Sequence, residues 1–197
     1  EIYEPTMSVL SISYSRIMTD RVAFGFTAKY INESIDLASA SGIAFDFGVN
    51  YDTKWNGLRF GFVIKNIGPE MTYDGPGFDR DVDPPGVNPD VSPEKTFRAQ
   101  AVAFEIPSWI SFSGVFDVYD EAKSRASLYG TFQSNNFSKD LYRAGLEYAF
   151  DESYFLRAGY TMDQNQVDYI YGLTLGAGLS VELGETDVVF EYSWNET

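Results

Sequence analysis

GIAFDFGVNYDTKWNGLRFGFVIKNIGP, residues Gly42 to Pro69, alternates with a period of two. Ile43, Phe45, Phe47, Val49 and Tyr51 fall on one side, and Ala44, Asp46, Gly48 and Asn50 on the other. After Asp52 to Gly57 the alternation resumes, with Leu58, Phe60, Phe62 and Ile64 against Arg59, Gly61, Val63 and Lys65. Successive side chains of an extended chain point to opposite faces, so the stretch predicts two strands and one short turn. The second face decides the fold class. It is small or charged, whereas a water-soluble barrel or sandwich fills its interior with large apolar groups. Large apolar groups outside with small and polar groups inside are the pattern of a barrel standing in lipid.

The same pattern extends outward in both directions. Thr6 to Ile17 sets Ser8, Leu10, Ile12 and Tyr14 against Val9, Ser11 and Ser13, and Arg21 to Ile31 sets Val22, Phe24, Phe26, Ala28 and Tyr30 against Ala23, Gly25, Thr27 and Lys29. A polar connection, Asn32 to Ser41, separates that strand from the quoted pair. Further strands are predicted at Lys95 to Glu105, Trp109 to Tyr119, Leu141 to Phe150, Tyr154 to Thr161, Ile170 to Leu183 and Asp187 to Trp194. Lys95 to Glu105 obeys the alternation poorly, because Val102 and Phe104 share a face with Arg98 and Gln100.

Residues 67–94 read as a long acidic loop, since Pro69, Pro76, Pro84, Pro85, Pro89 and Pro93 exclude a central strand. Asp79, Asp81, Asp83 and Asp90 are spaced loosely like a calcium loop, but Pro84 stands where that loop needs glycine, which favours plain hydration. Residues 120–140 hold one extended-looking piece, ASLYGTFQ, Ala126 to Gln133. Left in a second long loop, it leaves ten strands whose connections alternate between short and long; made a strand, it breaks that alternation. Short turns on one side and long loops on the other characterise outer-membrane barrels, so the loop reading is expected. On that reading the last strand ends on the long-loop side, and parity predicts one further strand after Thr197 and an odd number before Glu1.

Composition narrows the function classes. A formal charge of −15 argues against nucleic acid or anionic lipid as the main partner, because both require clustered Lys and Arg. With no cysteine there is no disulfide, thiolate nucleophile or Cys-type zinc site, and with no histidine there is no Ser/His/Asp arrangement. The expectation is a non-enzyme without a cofactor. A mean hydropathy of −0.21, with no run near the roughly 20 apolar residues of a spanning helix, excludes a helical membrane protein. Aromatic content of 17%, spread along the chain, is what girdles at two membrane interfaces require. EIYEPTMSV at the start lacks the basic and apolar regions of a signal peptide.

The inferred inner face carries Lys29, Arg59, Lys65, Arg98, Arg143 and Arg157, together with Asp46, Asp117, Glu147, Glu182 and Glu191. Two readings stand beside each other. Opposite charges on neighbouring strands form a structural ladder that fixes register. Alternatively, some of the basic groups receive a carboxylate, for which the arginine fork is suited.

The chain resembles the PorV/PorQ family, a branch of the FadL-like outer-membrane proteins. The stretches that carry the resemblance are TDRVAFGFTAKYI (Thr19 to Ile31), AFDFGVNYDT with GLRFGFVIKNIGPEMTY (Ala44 to Tyr73), FRAQAVAFEIP (Phe97 to Pro107), YRAGLEYAFDESYFLRAGY (Tyr142 to Tyr160) and GLTLGAGL (Gly172 to Leu179). The resemblance implies an all-β, antiparallel up-and-down transmembrane β-barrel of FadL-like type. Ten strands of a probable fourteen would be present, three being absent before Glu1 and one after Thr197. It also implies a place in the outer membrane of Gram-negative bacteria, with long loops extracellular and short turns periplasmic. The implied roles are passage of hydrophobic or fatty-acid-like small molecules, or work beside type IX secretion-system proteins and their exported cargo. The rival expectation is a soluble all-β ligand-binding module, lipocalin-like. It has to close a core over Lys29, Lys65 and Arg143 or show rows of Phe to water.

Overall fold

The structure is a computed structural model that describes residues 4–82, 95–163, 172–184 and 186–196. Its strands are β1 (Thr6–Ile17), β2 (Val22–Ile35), β3 (Ala38–Asp52), β4 (Arg59–Ile67), β5 (Asp79–Val82), β6 (Lys95–Arg98), β7 (Trp109–Glu121), β8 (Ser124–Asn135), β9 (Leu141–Phe150), β10 (Tyr154–Asp163), β11 (Leu173–Leu183) and β12 (Thr186–Asn195). Ten of them form one antiparallel sheet in the order β1-β2-β3-β4-β7-β8-β9-β10-β11-β12, while β5 and β6 pair separately. The order follows the chain, as in a meander, and the sheet is not closed.

The membership of the sheet corrects three expectations. Residues 95–105 are not one of its strands. Only Lys95–Arg98 is extended, and it pairs with β5. This is the segment whose two faces were not sorted by polarity, so no register placed one face on the sheet's apolar side. Conversely, the stretch assigned to a loop over 120–140 is largely strand β8, paired along its length with β7 and β9. A two-residue turn at Ala122 and Lys123, with Ala122 at φ 54°, makes the pairing possible. Most of Asn32 to Ser41 is strand as well, since β2 runs to Ile35 and β3 begins at Ala38, with Asp36 at φ 50° in the turn.

The chain divides into two compact units, one built on Thr27–Asp46 and Asn66–Ile106, the other on Tyr14–Phe26, Phe47–Lys65 and Pro107–Thr197. The second unit contains β7 to β12 and shows the two faces most plainly. Tyr142, Leu146, Tyr148 and Phe150 of β9 are exposed, as are Tyr154, Leu156, Tyr160 and Met162 of β10 and Leu173, Leu175 and Leu179 of β11. Between them, Arg143, Glu147, Arg157, Thr161 and Thr174 on the opposite face are half-buried. The predicted inversion of polarity is therefore present: the charged face is the more enclosed one.

In the first unit, part of the 67–94 segment is packed. Met71 is buried in a cluster with Ile31, Ala40, Ala44 and Ile106, against which Tyr73 and Phe104 lie. Gly42 makes room for it, since a Cβ there would stand 2.6 Å from Met71 Cγ. Backbone bonds run both ways between Ser39 and Asp74 and between Met71 and Phe104, and Tyr73 Oη donates to Glu33 Oε2 at 2.9 Å. That bond and the carboxylate beside it push the Tyr73 phenol up.

Asp79, read within a calcium-like spacing, instead accepts from Arg98 at 2.7 and 3.2 Å. Asp83 and Asp90 lie outside the described residues. The Arg98 bond holds the Asp79 carboxyl below its ordinary range. A depressed folded-state pKa means stabilisation that is present above the unfolded aspartate value and is lost as pH falls through the folded one. Acidification below about pH 4 is therefore expected to loosen the β5–β6 pair. Hydrogen exchange at Ala99, whose amide bonds Phe78 O at 2.9 Å, reads this directly, and an unchanged rate would count against the clamp.

Candidate functional site: the polar face of the sheet

The six basic residues singled out from the sequence meet different fates. In the first unit, Lys29 Nζ lies 2.6 Å from Asp46 Oδ2 and donates to Asn66 Oδ1 at 2.8 Å. Asn66, whose amide bonds Asp46 at 2.9 Å, adopts φ 59°, a left-handed conformation in which asparagine is enriched. Period-two alternation puts Asn66 on the apolar side, and only this backbone break turns it to the ion pair. Arg98 is not on the main sheet at all. It sits on β6 and pairs with Asp79 and, at 3.3 Å, with Asp74.

The other four lie in the second unit. Arg59 reaches Asp117 at 3.5 Å, and Asp117 also accepts from Ser127 Oγ at 2.6 Å. Lys65 places its ammonium 5.3 Å from the Trp109 ring centroid, a cation–π contact. Arg157 is clamped from two sides: Nε donates to Glu147 Oε2 at 2.7 Å, Nη1 bonds Glu191, and the guanidinium lies over Phe155. Tyr129 Oη donates to the other oxygen of Glu147 at 3.2 Å. Glu182 stands opposite Asp187 beside the β11–β12 turn and joins no cation among the described residues.

Arg143 differs from its neighbours. Its Nη1 donates to Gln133 Oε1 at 2.9 Å, a neutral amide, and no carboxylate pairs with it among the described residues. Register places Thr131 of β8 and Thr161 of β10 directly beside it on the same face. The next row on that face is Tyr129, Gly145, Gly159 and Thr174. These residues border a cavity of about 580 Å³ whose further walls include Glu147, Arg157 and Glu191. Its floor is backbone where Gly145, Gly159 and Gly176 stand; a Cβ on Gly159 would lie 2.7 Å from Thr174 Oγ1.

Lys29, Arg59 and Arg157 belong to cross-strand ion pairs, while Lys65 and Arg143 meet no carboxylate among the described residues. Ser127, Tyr129, Thr131 and Gln133 escaped the sequence reading because all lie on β8. No protein-family profile matches the chain, and no curated protein matches it.

Proposed function

We propose that this chain forms part of the wall of a bacterial outer-membrane β-barrel of PorV/PorQ, FadL-like type, with a polar inner face that passes small amphiphilic molecules. The observation that carries the reading is the distribution of exposure. Among the described residues, only Ile31, Ala40, Ala44, Met71, Ile106 and Ala149 are buried apolar groups, and rows of Phe, Leu, Ile and Tyr are exposed. A water-soluble domain of this length buries about 70% of the surface its unfolded chain exposes and rarely shows apolar patches this continuous. Lipid is the solvent in which such a face is stable.

The aromatic residues add support. On β9, exposed Tyr142 and Tyr148 are separated by Ala144 and Leu146, and on β10, Tyr154 and Tyr160 by Leu156 and Ala158. Six residues at about 3.4 Å each put the rings roughly 20 Å apart along the strand, close to the apolar band of such barrels. No helix among the described residues is long and apolar enough to cross a membrane. The half-buried polar face with its glycine-floored cavity favours passage of small molecules over a secretion-associated role.

The test is to express the complete reading frame containing this chain, separate outer membranes from soluble fractions, and compare gel mobility with and without boiling. Recovery in the outer membrane with a heat-dependent shift is expected. Soluble recovery without a shift would overturn the lipid-facing assignment and return the lipocalin-like reading to first place.

A further inference from the structure

We infer that the connection between β4 and β7 is a strap that limits the size of what moves along the polar face: its two legs, residues 68–78 and 99–106, lie across that face of β2 and β3. The inference rests on the barrel reading, because only in a barrel is the polar face the wall of a passage. The seating of the strap stands on local geometry.

Parity places the seat. On β2, Ile31 and Glu33 share the side of Lys29, and on β3, Ala40, Gly42 and Ala44 share the side of Asp46. Lys29 and Asp46 are an ion pair of the polar face. The groups around Met71 therefore belong to the polar side of the sheet and not to the side of exposed Tyr30 and Ile43. Along β3 the polar side carries only Ala38, Ala40, Gly42 and Ala44 before it turns charged at Asp46. The wall is bare of long side chains over the stretch that the strap covers.

The first leg is seated at backbone distance at both ends. A Cβ on Gly68 would stand 2.1 Å from Ile43 O, and one on Gly75 would stand 2.2 Å from Leu37 O. Pro69 and Pro76 follow these two points and restrict the chain as it leaves each of them. Between them, Ser39 and Asp74 exchange both backbone bonds, at 2.8 and 2.9 Å, and Tyr73 Oη holds Glu33. The second leg rides on the first. Met71 and Phe104 exchange two bonds at 2.8 Å, the Tyr73 and Phe104 rings stack with centroids 5.3 Å apart, and Ile106 is buried in the cluster with Met71.

Thickness gives the strap its consequence. A layer packed face to face on a sheet stands about 10 Å above it. Barrels of about eight strands have interiors that side chains alone fill, and those of about sixteen leave an aqueous channel. In a barrel between these sizes, a layer that thick decides which molecules pass.

The experiment reconstitutes the complete reading frame containing this chain in lipid vesicles and follows osmotic swelling in a mono-, a di- and a trisaccharide, probes that differ in size, with empty vesicles as baseline. The native protein is expected to admit the monosaccharide and exclude the trisaccharide. Met71→Asp sets a carboxylate into the apolar cluster, and Gly75→Val drives a side chain against Leu37 O. Each should raise the trisaccharide rate several-fold and leave the monosaccharide rate nearly unchanged. Ser39→Cys with Asp74→Cys, added to Met71→Asp, supplies a lock, because residues that exchange both bonds stand about 5.5 Å apart between Cα atoms, within disulfide reach. Oxidation should restore exclusion and a reductant should abolish it. Heat-dependent gel mobility checks that each variant is still a barrel. Native exclusion surviving in both single variants, or a native protein that already admits the trisaccharide as fast as they do, would overturn the strap while leaving the barrel reading in place. No swelling above baseline in native protein and variants alike would overturn the passage itself, and the strap with it.

Discussion

Phe47→Arg is expected to destabilise the folded protein in a bilayer by about 2–4 kcal/mol, the cost of a cation on the lipid face near mid-strand. Phe47 lies on β3, is 47% exposed, and has the Phe26 ring 5.1 Å away. In lipid its exposed surface is solvated by acyl chains, and a guanidinium there must snorkel or draw in water. In water the same replacement would fall within about 0.5 kcal/mol, as surface substitutions usually do. The sign and size of the effect thus report which solvent the face meets. Urea titration of refolding into lipid vesicles, read by heat-dependent mobility, gives the number. Asn50→Arg, on the opposite face of the same strand, serves as control and should be nearly neutral. Equal small effects at both positions would mean that β3 does not present Phe47 to lipid.

Met71→Ala should release the segment from Gly68 to Phe78 at a cost of about 2–5 kcal/mol, the range for emptying a buried large side chain. Met71 is 2% exposed and is the largest fully buried side chain among the described residues, so its removal takes away most of the cluster it shares with Ile31, Ala40, Ala44 and Ile106. The loss is local. Amides of Met71, Asp74 and Phe104, bonded across this junction, should exchange roughly 30-fold faster or more, while β9 and β10 keep their protection. Gly42→Val approaches the same junction from the other side: its Cβ meets Met71, and overpacking costs about 1–3 kcal/mol. If both variants leave the three amides unchanged, the apolar cluster is not what holds the segment.

The contrast between β8 and residues 95–105 shows where sequence reasoning was sound. Ala126, Leu128, Gly130 and Phe132 alternate with Ser127, Tyr129, Thr131 and Gln133 as faithfully as any strand here, and the stretch is a strand. A count of connection lengths had argued otherwise. Residues 95–105 broke the alternation, and they are not in the sheet. Local period two was the better guide in both cases, because it is imposed residue by residue by side-chain direction, whereas loop length is restrained only weakly by entropy.

The candidate site was legible in part. Arg143 and Arg157 were placed on the polar face by alternation alone, yet nothing local distinguished them, since each follows a large apolar residue in a similar strand. Their difference lies in partners brought by other strands: Gln133 for one, Glu147 and Glu191 for the other.

What the sequence by itself determined is the two-faced strand, one face apolar and the other polar, because face assignment depends only on the parity of neighbouring residues. Strand membership at β8, the turn of Asn66 towards Lys29, the seating of Met71 over Gly42 and the unequal pairing of the polar-face arginines were decided by the tertiary structure. Each of these depends on register between segments distant in the chain, and register is set by pairing and packing energies that no single segment contains.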